Sequence, residues 1–158
     1  MIKGTLHQED ITLINIYAPN QGAPKCIKQL LTELKGEIDP NTMIVGYLNT
    51  PLTAIDRSSK QKINKEISAL IDTLDQMDII DIYRALHSRI SDYTFFSSAR
   101  RAFSRVNHIL RHKTSLNKFK IKIIPSIVSD HNILKLDINC KNEEAHKYVD
   151  VKQHAIKK

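Results

Sequence analysis

The sequence predicts an α+β fold of mixed and antiparallel strands with flanking helices. Three observations carry that expectation. A strand–helix–strand pattern runs over residues 10–48, a second amphipathic helix follows it, and beyond residue 90 come short strand-like segments with no long helix between them. The chain has 158 residues, 41% of them apolar, which is enough for one domain with a real core and tight for two.

Asp10 to Tyr17, DITLINIY, alternates Ile11, Leu13, Asn15 and Tyr17 with Thr12, Ile14 and Ile16, the pattern of a strand buried on one face and partly on the other. It closes at the turn APN. From Pro24, placed where a first helical turn tolerates proline, Ile27, Leu30, Leu31, Leu34 and Ile38 fall at helical spacing. A second strand, Thr42 to Leu48, follows DPN. The segment NTPLTAIDRSSKQ reads as a long, polar, exposed loop organised by Asp56 and Arg57. Ile63, Ile67, Leu70, Ile71, Leu74 and Met77 mark another helix, and Ile79 to Leu86 a short helical or extended piece. YTFFS, FSRVNHIL, FKIKIIPSIV and NILKLDIN are rich in β-branched and aromatic residues and imply an antiparallel sheet. The domain is expected over residues 1–139, with 140–158 a charged tail that lacks an apolar stripe and is expected to be poorly ordered.

Lysine and arginine number 24 against 17 acids, a net charge of +7. From Arg84 to Lys122 there are ten basic residues and a single acid, Asp92. Such a block fits a polyanion such as nucleic acid, because each neutralised phosphate releases counterions; composition fits a solvated basic face equally well. Cys26 and Cys140 lie far apart in apolar segments and read as small buried hydrophobes of a reducing compartment. No stretch is long and apolar enough to span a bilayer and the start has no signal-peptide centre, so the reading is nuclear or cytoplasmic, with no membrane partner.

The polar residues that carry chemistry gather at strand ends: Tyr17 and Asn20, the GYLNT of Tyr47 and Asn49, Thr94 in YTFF, Asn107 and His108 in SRVNHIL, and Asp130 and His131 in SDH. In this order and spacing they resemble the endonuclease/exonuclease/phosphatase superfamily, which includes exonuclease III and the apurinic endonucleases. More narrowly, GYLNTPLTAIDRSSKQKINKE, IIDIYRALH, YTFFSSA, FSRVNHILRHK and SDHNILKL resemble the endonuclease domain of mammalian LINE retrotransposon second open reading frames.

That resemblance implies a magnesium-dependent DNA-nicking phosphodiesterase on a four-layer α/β-sandwich, of which this chain would carry the C-terminal part. It places Asn49 as the phosphate-holding asparagine, Tyr17 as the tyrosine that approaches the phosphate, and Asp130 and His131 as the closing pair. Asn20, Thr94, Arg100, Arg101 and Arg105 are expected to contact nucleic acid. Two positions depart from the family. Tyr47 stands where the family has its catalytic aspartate, and Asn107 where it has the aspartate that braces the histidine. A phenol with a pKa near 10 is a poor base and metal ligand at neutral pH, and an amide carries no charge to support imidazolium. The family segment that supplies the main metal-binding glutamate and asparagine has no counterpart here, so no metal ligand is assigned. The expectation is a truncated, catalytically impaired relative; the alternative is a noncatalytic basic remnant that binds nucleic acid.

Three further features are weighed on their residues alone. His108 and His112 share one strand face but have no third ligand near them for zinc. Phe95, Phe96 and Phe103 read as core aromatics rather than base-stacking rings. Truncation would also leave an apolar sheet face bare, through which the chain would self-associate.

Overall fold

The computed structural model describes residues 1–60, 62–114, 116–138 and 148–149. The chain opens with a hairpin of β1 (Ile2–Leu6) and β2 (Glu9–Tyr17), turned by His7 and Gln8, both at positive φ. A crossover helix, α1 (Ala23–Glu33), leads to β3 (Thr42–Tyr47), which lies parallel to β2. Helix α2 (Lys65–Gln76), β4 (Ile79–Asp81) and the single-turn α3 (Ile82–Leu86) follow. Asn64 caps α2 by accepting from the Ile67 N–H, and Asp81 caps α3. The remainder is strands: β5 (Phe95–Ser97), β6 (Ala102–Ser104), β7 (Asn107–His112), β8 (Phe119–Ile124), β9 (Ile133–Ile138) and β10 (Tyr148–Val149).

These strands form a five-stranded sheet in the order β1-β2-β3-β7-β4, a three-stranded sheet β10-β9-β8, and the β5-β6 ribbon. Three layers of the expected sandwich are present. On one face of the large sheet, Ile27 and Leu31 of α1 and Leu70 and Leu74 of α2 bury against Ile14, Ile16, Ile44, Ile79 and Leu110. On the other, Met43, Val45 and Ile109 meet Phe119, Ile121, Leu134 and Leu136 of the small sheet, with Ile82 and Tyr83 of α3 between them.

Several expectations are corrected. The apolar face expected to be bare is covered over β3 and β7 by the small sheet. Cys26 is exposed, because it sits on the solvent side of α1. The loop after β3 is not simply polar and exposed: Thr50, Pro51, Leu52 and Asp56 are buried in it. The tail at 140–158 lies outside the described residues except for β10, which pairs antiparallel with β9. No helix among the described residues is long and apolar enough to cross a membrane.

Candidate functional site

The strand register builds the site. In the large sheet Tyr17 is opposite Tyr47, and Tyr47 is opposite Asn107, so the two positions at which aspartates were expected face one another across β3 and β7. Tyr17 stacks on Tyr47, ring centroids 5.3 Å apart and planes 22° from parallel. Tyr47 meets His131 edge-on at 5.3 Å, and His131 lies against Phe95 at 4.7 Å. Asp130 is largely exposed, with Oδ1 3.9 Å from His131 Nε2. Burial, then the neighbouring Tyr17 and the Asp130 charge, push the Tyr47 phenol above its ordinary value, so it is not a base at neutral pH.

Asn49 adopts the left-handed backbone region at φ 50, which asparagine tolerates better than most residues. Its Nδ2 donates to the Pro19 carbonyl at 3.1 Å and to Asn20 Oδ1 at 2.8 Å. The structure therefore brings Tyr17, Asn20, Tyr47, Asn49, Asn107, Asp130 and His131 to one edge.

Two expected nucleic-acid contacts are elsewhere. Thr94 is buried, and its Oγ1 accepts from the Val106 and Asn107 N–H groups at 3.1 and 3.4 Å, which places it as a strut behind Asn107. Arg105 has no exposed surface and lies within an ion cluster. Its guanidinium contacts Asp56 Oδ1 through Nε at 3.0 Å and Asp81 Oδ2 through Nη2, and lies 5.0 Å over the Tyr83 ring. Arg84 completes the pairing with Asp56. His108 Nδ1 lies 2.8 Å from Asp81 Oδ2, and its Nε2 donates to the Thr50 carbonyl at 2.9 Å. Asp56 Oδ2 also accepts from the Leu52 and Thr53 N–H groups, so this cluster clamps the loop that follows Asn49 to β4 and β7.

The basic block accordingly divides in two. Arg84 and Arg105 serve the interior, Arg111 is buried over Phe119, and Lys113 and Lys118 pair with Asp78 and Glu9. Arg89, Arg100, Arg101, Lys120 and Lys122 are exposed, Arg100 and Arg101 at the β5-β6 turn. The expectation that Phe96 and Phe103 are core residues is also corrected, since they are 38% and 49% exposed.

Magnesium does not fit the residues of this edge. A hard cation in octahedral geometry requires several oxygen ligands with carboxylates among them, and here the one carboxylate is Asp130 beside tyrosines and amides. Among the described residues no three His, Cys, Asp or Glu side chains come together as a cation site.

No family model matches the chain. Its fold is that of the apurinic endonuclease and exonuclease group of nucleases. An AP endonuclease from Archaeoglobus fulgidus superposes with a TM-score of 0.69 at 17% identity, covering 87% of this chain and 64% of that one. The endonuclease domain of TRAS1, a telomere-specific non-LTR retrotransposon, gives 0.68 at 16% identity, covering 89% and 63%. A 3'-5' exonuclease from Neisseria meningitidis gives 0.67 at 18% identity, covering 87% and 64%. The chain thus spans less than two thirds of these neighbours' lengths.

Proposed function

We propose that this chain is a nucleic-acid-binding domain of the LINE retrotransposon endonuclease type whose phosphodiester-cleaving centre is impaired. The observation that carries the reading is the Tyr17–Tyr47–Asn107 row: the facing positions that would supply carboxylates to the water and to the histidine carry a phenol and an amide. His131 is packed against Phe95 and Tyr47 rather than braced by an aspartate at 107. With Asp130 as its one carboxylate and none at 47 or 107, the edge lacks the parts that take the proton of water, collect a cation and lower the barrier to hydrolysis.

Binding is supported independently. Arg100 and Arg101 project from the β5-β6 turn beside exposed aromatics, and a related structure of the Neisseria enzyme is described with a product DNA hairpin. The expected result with supercoiled plasmid is no nicking in magnesium above an EDTA control, together with a gel shift whose affinity falls steeply with salt. Arg100→Ala with Arg101→Ala should weaken that shift for every sequence alike, each lost phosphate contact lowering the salt slope by about 1. Robust nicking abolished by EDTA would overturn the reading, because it would show Tyr47 and Asn107 to be compatible with a working centre.

A further inference from the structure

The substitution that removes a carboxylate from the strand end also creates something there. Tyr47 gives Tyr17 a ring to rest on, and Tyr17, 74% exposed, presents its other side to solvent. The row continues inward through His131 to Phe95. On the opposite face of β5, Phe96 packs on Phe103 at 4.7 Å, and Phe103 stacks on Tyr93 at 5.8 Å. Arg100 and Arg101, exposed at the β5-β6 turn, make the hairpin side of this surface positive.

We propose that Tyr17 on Tyr47, and Phe96 with Phe103, are two stacking stations for unpaired nucleobases, so that the chain binds single-stranded nucleic acid in preference to duplex and without a metal ion. This rests on the nucleic-acid reading above and names the form of the ligand. A ring held by a stack beneath it has little freedom left to lose, and every base has a π-face to offer it. Duplex bases are already stacked on one another and do not reach such rings. The exposed Asp130 carboxylate, 3.9 Å from the His131 ring that packs on Tyr47, disfavours a phosphate at that spot, which leaves the base as the better occupant. The Asn20 and Asn49 amides, hydrogen-bonded to each other beyond the ends of β2 and β3, add polar groups to the same edge.

The test is fluorescence anisotropy in EDTA with three labelled probes: an oligothymidylate of about 12 nucleotides, within the usual site size of a single-strand-binding surface, a duplex of equal length, and an abasic oligomer with the same number of phosphates. The oligothymidylate should bind tightest and the abasic oligomer about tenfold more weakly. Tyr17→Ala, a change at an exposed ring that the fold does not need, should weaken oligothymidylate about tenfold and leave the abasic probe unaffected. Phe103→Ser should act in the same direction, whereas Arg100→Ala with Arg101→Ala should weaken all three probes. Equal affinity for the thymidylate and abasic probes, or indifference to Tyr17→Ala, would defeat the stacking stations and leave general nucleic-acid binding standing. Absence of binding to any probe at low salt would remove both.

Discussion

Arg105→Ala is expected to cost about 3–5 kcal/mol, a large share of the ~5–15 kcal/mol that holds a domain together. The guanidinium Nη2 contacts two buried carboxylates, Asp56 at 2.9 Å and Asp81 beside it, with no solvent to replace it. Truncation leaves both anions in the interior with only Arg84 and His108 beside them. The damage extends to the loop after Asn49, because Asp56 accepts from the Leu52 and Thr53 N–H groups. Urea unfolding measures the loss. A double cycle with Asp56→Ala should show strong coupling, the pair together costing less than the sum of the singles. A loss for Arg105→Ala below about 1 kcal/mol, the range of exposed ion pairs, would mean that the cluster is solvated in solution.

The same cluster sets the response to acid. Burial works to raise the Asp56 carboxyl, but the Arg105 and His108 charges and the Arg84 hydrogen bond outweigh it, and the carboxyl ends below its ordinary value. Asp81 is held low in the same way, by Arg105 and His108 against its burial. A carboxyl held below its unfolded-state value binds protons less readily in the folded chain than in the unfolded one. Its contribution is therefore complete above about pH 4 and is lost as pH falls through the folded-state value. Stability measured from pH 7 downward should be level and then fall below about pH 4. A Asp56→Asn, Asp81→Asn double variant that folds should lose much of that acid slope, and an unchanged slope would assign acid sensitivity to other groups.

Much of the fold was legible because its elements carry strong periods. The alternation of DITLINIY became β2, and the helical spacing from Ile27 to Leu31 became α1, which ends at Glu33 so that Leu34 caps it and Ile38, expected on the same helix, is extended. Strand β1 was not legible, since its turn is made by His7 and Gln8 at positive φ, where a sequence reader looks for asparagine or glycine. The interior charges were invisible for another reason. Arg105 meets Asp56 and Asp81 across 49 and 24 residues of chain, and a run of basic residues reads as a surface until the acids that neutralise it are found. Thr94 was misplaced likewise, because a hydroxyl at a strand end serves backbone N–H groups as readily as a ligand. The edge itself could be assembled from its motifs, but its aromatic stack needed the register that sets Tyr17 beside Tyr47.

Gly46→Ala is expected to be as damaging as any single change in the molecule, with a loss above about 3 kcal/mol from backbone strain and broken strand pairing together. Gly46 sits one residue before Tyr47, in the strand between β2 and β7, opposite Ile16 on one side and His108 on the other. Its φ of +143° is a conformation that a side chain rarely adopts, and a Cβ there would fall 2.0 Å from the Ile16 carbonyl oxygen and 2.9 Å from Asn15 Oδ1. The nearer atom is backbone and cannot rotate away, so β2 and β3 would have to part. They would part where Tyr17 and Tyr47 stack, so stability and single-strand affinity should fall together in this variant. Gly36→Ala is the control, because a Cβ at Gly36 meets nothing within 4 Å and the change should stay within about 1 kcal/mol of the parent in either direction. Urea midpoints of the two variants decide the matter. A Gly46→Ala protein within about 1 kcal/mol of the parent would show that the two strands approach less closely than the described backbone requires.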